Sequence, residues 1–494
     1  MIPFSLGEWL LADMQQSVSK AAPGALHRYR SVYEGIRKAI LSRRMSAGIR
    51  LPSSRALAEE LGVSRNTVVA AFDQLLAEGY VTAATGSGTY VSDIGRGENI
   101  RPKPVRLHRG PALSARGRRI VAAPGGNTHE IQPFVPGMDD FSVFPSKIWQ
   151  RLQNKYWRES PPELLDYAAA GGYQPLRRTI ANYLSISRSV QVTAEQVLIT
   201  AGTQQSLHLC AQLLASPGEL AWVEDPGYWA ARKVFEACDL TLRPIAVDVE
   251  GMHPAAADIA TSPRLIYVTP SHHYPTSAVM SLPRRQGLLD LAAGKGAWIL
   301  EDDYDSEFRY SGRPLSSLQG LDSHDCVIYL GTFSKILYPG IKLGYLVVPA
   351  DLAESFKTSL YDTQRPGQVM LQAALADFIE QGHFATHVRK VRQVYGERRE
   401  SLVRVLQSIL GRHARLSKEA SGMHLVIELP DAASDLHIAA EAAKQGLVVR
   451  ALSSYYLGQP QRSGLVVGYA YVPTERIQHF GSLLGNIVKK ALRR

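Results

Sequence analysis

Four short stretches of the 494-residue chain set reactive side chains at the ends of apolar runs. Lys335 closes Tyr329-Leu330-Gly331-Thr332-Phe333-Ser334-Lys335, directly after a strand-like run. A lysine in a dry pocket has a lowered pKa and can attack a carbonyl to form an imine. Upstream, Trp298-Ile299-Leu300-Glu301-Asp302-Asp303-Tyr304 ends in carboxylates. A carboxylate there can keep a pyridinium nitrogen protonated. A phenol two residues on points to the same side of an extended chain and can reach the ring's oxygen. Ile199-Thr200-Ala201-Gly202-Thr203-Gln204-Gln205 passes from a strand into a helix. The free N–H groups at that helix start suit a phosphate. Asp225-Pro226-Gly227-Tyr228 offers an aromatic ring that can stack on another.

A lysine after a strand is ordinarily solvated, and an acidic run at a strand end is ordinarily surface. It is the set, in this order, that carries information. An amine, an acid with a phenol, an aromatic face and a helix start each answer a different part of one molecule, pyridoxal 5′-phosphate (PLP). No metal is expected. The three cysteines, Cys210, Cys238 and Cys326, are too few and too scattered for a zinc site or a disulfide framework.

These stretches need a scaffold that brings strand ends together. From about residue 131 to 494, short apolar runs alternate with helical patterns. The runs include Gln196–Thr200, Leu220–Val223, Leu265–Val268, Trp298–Glu301, Val327–Leu330 and Gly344–Val348. This alternation predicts an α/β domain with a largely parallel sheet. With 45% apolar and 20% charged residues the chain is globular in composition, with room for two to four domains at about 150 residues each. No apolar run reaches the roughly 18 residues a membrane span needs. Met1 to Met14 holds Glu8 and Asp13 without a basic flank, unlike a secretory signal. A soluble, cytoplasmic protein is expected.

Before residue 131 the chain changes character. Residues 93–130 are interrupted by Gly95, Gly97, Pro102, Pro104, Gly110, Pro111 and Pro124, and read as a flexible linker. That linker is basic, with Arg96, Arg101, Lys103, Arg106, Arg109, Arg116, Arg118 and Arg119. Residues 1–119 hold 18 Lys and Arg against 9 Asp and Glu, so nearly all of the net charge of +10 lies there. A basic segment on a near-neutral body points to a polyanion partner for that segment.

Residues 1–92 supply the means of contact. Ser31–Ser42 has helical period, Leu51-Pro52-Ser53-Ser54 breaks it, and a short helix over Ser54–Leu61 ends at Gly62. Ser64 can cap a second helix running to about Glu78, with Val68, Phe72, Leu75 and Leu76 on one face. Two short helices around a tight turn make a helix-turn-helix. Tyr80–Thr82 and Thr89–Val91 flank Gly86-Ser87-Gly88 as a hairpin wing. The polar first turn of the second helix, Ser64 to Thr67, would meet base edges in the major groove of duplex DNA.

Leu51–Arg55, Ala58–Val68, Leu75–Tyr80 and the wing resemble the winged helix of the GntR family of bacterial transcription regulators. That resemblance implies DNA contacts at Arg55, Ser64, Arg65, Thr67, Ser87, Gly88 and Thr89, with Arg50 and Asn66 beside them. Residues 131–494 resemble fold-type I aminotransferases, with Gly172–Arg177 and Thr269–Thr276 as further matches. Winged helix, linker and body together resemble the MocR/GabR-type regulators, a multi-domain architecture. By resemblance Lys335 is the lysine of the internal aldimine, Asp302 pairs with the pyridine nitrogen, Tyr304 bonds the phenolic oxygen and Tyr228 stacks on the ring. Gly202, Thr203, Thr332 and Ser334 lie by the phosphate. The family also implies a homodimer, head-to-tail, with each linker crossing to its partner.

Two positions depart from the pattern. Lys342 stands where the family has a phosphate-clamping Arg, which keeps the charge and loses the bidentate fork. Val466, in Leu465-Val466-Val467-Gly468-Tyr469-Ala470, stands where aminotransferases hold the substrate α-carboxylate with Arg. Arg450 and Arg462 lie nearby in sequence. The expected function is a transcription regulator that binds promoter duplex DNA. Its aminotransferase-like domain serves as a sensor and not an enzyme. Val466 favours PLP itself as the effector, with vitamin B6 metabolism as the process controlled. An amine or sulfonate effector, a working aminotransferase with an appended DNA-binding domain, and an architectural protein with a dead cofactor fold are the alternatives.

Overall fold

Ser53 and Ser64 set the local structure of the N-terminal region. In the computed structural model, which describes residues 25–84, 88–93, 113–122, 131–310, 312, 315–365 and 367–493, each hydroxyl accepts a backbone N–H and starts a helix. Helix α1 spans Ala25–Leu41, α2 Ser54–Leu61 and α3 Arg65–Ala77, followed by strands β1 (Val81–Ala84) and β2 (Gly88–Val91). Gly62 ends α2 with a left-handed φ of 61°, a conformation that favours glycine. Val32, Ile36, Leu57, Val68, Ala71, Leu75 and Val81 close the core. The hairpin pairs Val81 with Val91 and Ala84 with Gly88. Helix α1 starts six residues earlier than the apolar period alone indicates, because Ala25–Arg30 contains no breaker and Tyr29 packs on Tyr33.

The segment expected to be a flexible linker holds regular structure. Ala115–Ala122 forms helix α4, a correction to the reading of 93–130 as irregular throughout. Ser114 Oγ accepts from Gly117 N at 3.0 Å. Arg116 and Arg119 both pair with Asp239. One interior glycine costs about 1 kcal/mol in a helix, which the cap and the pairing offset. The chain divides into two units at Ala112/Leu113, so α4 belongs with the larger one. Residues 94–112 and 123–130 lie outside the described residues.

The larger unit is built on an eight-stranded sheet. Its strands are β3 (Val197–Thr200), β4 (Leu220–Asp225), β5 (Thr241–Asp248), β6 (Gly251–Met252), β7 (Leu265–Val268), β8 (Trp298–Asp303), β9 (Val327–Thr332) and β10 (Gly344–Val347). Their order is β3-β10-β9-β8-β7-β4-β5-β6. The five strands β9, β8, β7, β4 and β5 run parallel, while β10 is antiparallel to both its neighbours. Every residue of β7, β9 and β10 is buried, which explains their unbroken apolar text. A second, antiparallel sheet has the order β11 (Arg415–Leu416), β12 (His424–Leu429), β14 (Ser463–Gly468), β13 (Arg450–Ala451). Long helices at His383–Leu410 and Ile477–Ala491 add to the core. Among the described residues no helix is long and apolar enough to cross a membrane.

Candidate functional site

In an open parallel sheet, ligands bind beyond the carboxyl ends of the strands. Strands β8 and β9 deliver Asp302 and Thr332 there, and the turn after β3 delivers Gly202. Gly344 keeps the turn close: a Cβ on it would come within 2.9 Å of Gly202 Cα. The result is a cavity of about 290 Å³. Lys335, Asp302, Tyr304, Tyr228, Gly202, Thr203, Thr332, Ser334 and Lys342 all line it. The sequence-based candidates for cofactor binding are therefore brought together around one space.

The carboxylate run of β8 divides its labour by strand alternation. Glu301 faces one way and accepts from Leu318 N and Gln319 N at 2.8 and 2.9 Å. Asp303 is held by Arg188 at 2.8 Å and Tyr329 at 2.6 Å. Asp302 alone of the three lines the cavity, with Tyr304 two residues on. It is 4% exposed and its Oδ2 accepts from Tyr267 OH at 2.7 Å. Its Oδ1 has no hydrogen-bond partner. Burial pushes the Asp302 carboxyl up to about 7, against the pull of Tyr267, with Asp303 and Asp305 pushing further. A buried carboxylate oxygen without a partner, on a cavity wall, lacks a donor. A protonated ring nitrogen is such a donor, so the residues present fit PLP.

Lys335 follows β9, and its Nζ donates to Gly137 O at 2.7 Å. Gly137 has φ +75°, a conformation that favours glycine, and a Cβ there would lie 3.2 Å from Nζ, a close contact that the lysine end must shift to accept. Nearby, Asp139 is 3% exposed and neither of its carboxylate oxygens has a partner. Burial raises its carboxyl to about 7, and the Lys335 ammonium pulls it down in part. Tyr304 OH lies 3.2 Å from His272 Nδ1, which in turn is 2.8 Å from Asp305. Gly202 precedes the 12-residue helix at Thr203–Leu214, whose first N–H groups have no partner within the helix, and Gly202, Thr203 and Gln204 line the cavity together with Thr332, Ser334 and Lys342. Lys342 is exposed and sits at φ 50° after a tight turn.

Gly137, Tyr267, Trp229, Tyr274 and His424 also line the cavity and were not singled out from sequence for this role. Tyr274 lies within Thr269–Thr276, a stretch that resembles the aminotransferases. Tyr267 sits in a strand buried on both faces, where no period marks a functional side chain. Val466 is buried among Val426, Leu452, Trp229, Tyr274 and Tyr455. Arg462 is paired with Glu428.

On the smaller unit, Arg55, Arg65 and Asn66 are exposed at the starts of α2 and α3. The hydroxyls of Ser64 and Thr67 bond each other at 2.8 Å, and Ser64 also caps α3, so both serve the helix start first. Thr89 lies on β2 beside Gly88, whose absent Cβ makes room for Arg50: a Cβ would lie 2.7 Å from Arg50 Nε. Ser87 lies outside the described residues.

Residues 28–91 match the bacterial regulatory proteins of the gntR family, and residues 138–481 match aminotransferase class I and II. The whole arrangement recurs in a probable rhizopine catabolism regulatory protein, MocR, of Rhizobium meliloti, 39% identical over 443 residues and 90% of each chain. The chain belongs to the MocR-type transcription regulators. This MocR-type protein is also 31% identical over 462 residues to the pyridoxine biosynthesis transcriptional regulator PdxR of Corynebacterium glutamicum, across 93% of this chain and 95% of that one. Its larger unit has the aminotransferase fold. A kynurenine aminotransferase of Pyrococcus horikoshii matches 72% of the chain and 90% of its own, with a TM-score of 0.67 and 26% identity. A multiple substrate aminotransferase of Thermococcus profundus shares the fold with a TM-score of 0.70 across 77% and 98%. The protein is thus a winged-helix regulator with an aminotransferase-like domain.

Proposed function

We propose that this MocR-type regulator binds PLP in the cavity described above and that filling it changes affinity for promoter duplex DNA. The observation that carries the reading is the buried, unpartnered Oδ1 of Asp302 across one cavity from Lys335. When bound, PLP supplies an aldehyde that captures amines and a ring that withdraws electrons. The chain's residues do the rest. Lys335 Nζ makes the covalent link, Asp302 holds the proton on the ring nitrogen, and Tyr304 donates to the ring oxygen. Tyr228 covers the ring face. Gly202, Thr203, Thr332, Ser334 and Lys342 hold the phosphate. Arg65, Asn66 and Arg55 read the DNA, with the wing on the backbone.

The body acts as a sensor and not as an enzyme, since the position that fixes an α-carboxylate in aminotransferases is Val466. PLP itself is the first effector on this reading. The regulator works in the cytoplasm as a head-to-tail homodimer. The test is borohydride reduction of purified full-length protein followed by peptide mapping. The cofactor should be fixed to Lys335, and Lys335→Ala should lose both the label and the response of DNA binding to PLP. Labelling of a different lysine, or DNA binding indifferent to PLP, overturns the proposal.

A further inference from the structure

Behind Tyr304 stands a buried acid–imidazole pair. His272 follows β7 and Asp305 follows β8, and each side chain is 1% exposed. His272 Nδ1 lies 2.8 Å from Asp305 Oδ2 and 3.2 Å from Tyr304 OH. Tyr304 lines the cavity, whereas His272 and Asp305 do not. Room for the pair is made by Gly422, two residues before β12. Its φ is +75°, and a Cβ there would strike the His272 ring and come within 2.8 Å of Asp305 Oδ2. This glycine is pinned: its N–H donates to Phe308 O at 2.8 Å and its carbonyl accepts from Tyr469 OH at 2.7 Å.

The hydrogens follow from the partners. An ionised carboxylate only accepts, so the ring nitrogen facing Asp305 carries a hydrogen. Burial raises the Asp305 carboxyl, and His272 and Tyr304 pull it back toward ionisation. Nδ1–H is then shared between Asp305 and the Tyr304 oxygen as a three-centre bond. The phenol oxygen accepts on its inner side, and its own hydrogen is free to turn to the cavity. Without the imidazole, Asp305 is left as an acceptor for that hydrogen, and it already acts on this phenol. The other basic groups near His272 do not compete. Arg188 is held by Asp303, and it lines a space of about 10 Å³ beside the pair with Arg309. Burial keeps the His424 ring well below its ordinary value and lowers His273 to about 3.

We infer that His272, held by Asp305, is a positioning residue for Tyr304: it occupies the inner side of the phenol oxygen, so that the Tyr304 hydrogen is left for the ring oxygen of the cofactor. The pair thereby sets how firmly the cavity keeps its occupant without touching that occupant. The inference rests on the reading that PLP occupies the cavity. A donor on the ring oxygen favours negative charge there. Without that donor, the neighbouring imine nitrogen keeps its proton to higher pH.

The test titrates PLP against visible absorbance in the full-length wild type, Tyr304→Phe, His272→Leu and the double variant. Each single change should weaken PLP about tenfold and raise the pH midpoint of the visible band. The double variant should be no worse than Tyr304→Phe alone, because His272 acts through that hydroxyl. His272→Asn, whose amide carries an N–H near the Nδ1 position, should recover part of the loss. His272→Gln, whose amide reaches toward the Nε2 position, should not. A single cooperative melt shows that each variant folds, and Gln takes the place of Leu where Leu does not fold. An affinity and midpoint unchanged in His272→Leu, losses that multiply in the double variant, or equal behaviour of Asn and Gln overturns the inference. A wild type without visible absorbance on adding PLP overturns the PLP reading instead. The pair is then read in the cofactor-free protein: the melting temperatures of the same four proteins should be non-additive, and additive shifts overturn the inference.

Discussion

Replacing Asp302 by Asn should move stability and cofactor affinity in opposite directions. The carboxyl is raised from 3.8 to about 7 in the folded protein, mainly by burial. A carboxyl whose folded pKa is raised favours the fold fully below the unfolded value. It loses that contribution as pH rises from about 4 through 7. A shift of about three units at about 1.4 kcal/mol each sets a ceiling near 4 kcal/mol for the cost of ionising Asp302 in the empty site. Asn carries no such charge and can still accept from Tyr267. Cofactor-free Asp302→Asn should therefore be more stable than wild type at pH 8, by about 1–3 kcal/mol after relaxation, and the gain should shrink as pH falls through about 7 and vanish below about pH 4. The same change removes a charge-assisted hydrogen bond to the ring nitrogen, worth about 1.5–3 kcal/mol, so PLP affinity should fall about 10- to 150-fold. Thermal melting of the cofactor-free proteins across pH, with PLP titration at pH 8, measures both. A variant that melts lower than wild type at pH 8, or that binds PLP equally well, would refute the reasoning.

Arg65→Ala should weaken specific promoter binding by about 1–3 kcal/mol if Arg65 makes a bidentate base contact; an equal loss on random DNA in a mobility-shift assay makes it a phosphate contact. Gly137→Ala should cost about 1–2 kcal/mol of stability, because φ is +75° and the new Cβ meets Lys335 Nζ; it should also lower cofactor retention, read from absorbance after dialysis. Light scattering at micromolar concentration should give a dimer, and a monomer there removes the head-to-tail assembly. Common α-amino acids should give negligible transamination in half-reaction spectroscopy, while promoter footprints change with PLP. Rapid conversion of the cofactor with an indifferent footprint would favour an enzyme.

The scaffold was legible where burial simplifies the text. Leu265–Val268 was read with its observed limits, and β8, β9 and β10 to within two residues, because strands buried on both faces are unbroken apolar runs. Strand β5 was not singled out: Pro244 and Arg243 interrupt it, and neither hints that Pro244 pairs with Val223 inside a parallel ladder. Asp302 was picked from three adjacent acids by family resemblance, and strand alternation accounts physically for why Glu301 and Asp303 turn away to other partners. Asp139 gave no signal, because what sets it apart is the absence of hydrogen bonds to it in a fold that sequence cannot display. Helix α4 was hidden by the Gly and Pro on both sides of it, and Asp239, which pairs with its arginines, lies some 120 residues on.

Asp302 and Asp139, each buried with at least one unpartnered oxygen, face opposite needs from Val466, which is buried without any polar demand. Of the two, Asp302 lines the cavity and is costly to keep ionised there, and a cationic ring nitrogen would relieve that cost. A ligand that binds only the folded form stabilises it in proportion to the logarithm of its concentration over Kd, so this cavity is built to make the protein depend on its occupant. Val466 takes away the opposite feature. On the proposed reading, an α-carboxylate at that position meets valine in place of a guanidinium, which would leave the bond to be broken less firmly oriented to the ring. On the proposed reading, groups suited to the cofactor are kept while the one that would orient an ordinary substrate is replaced, the arrangement expected of a sensor. A regulator needs only that its occupant bind two states with a difference of about 1–3 kcal/mol. The loss of one charge-assisted hydrogen bond at Asp302 in one of the two states would be enough to supply it.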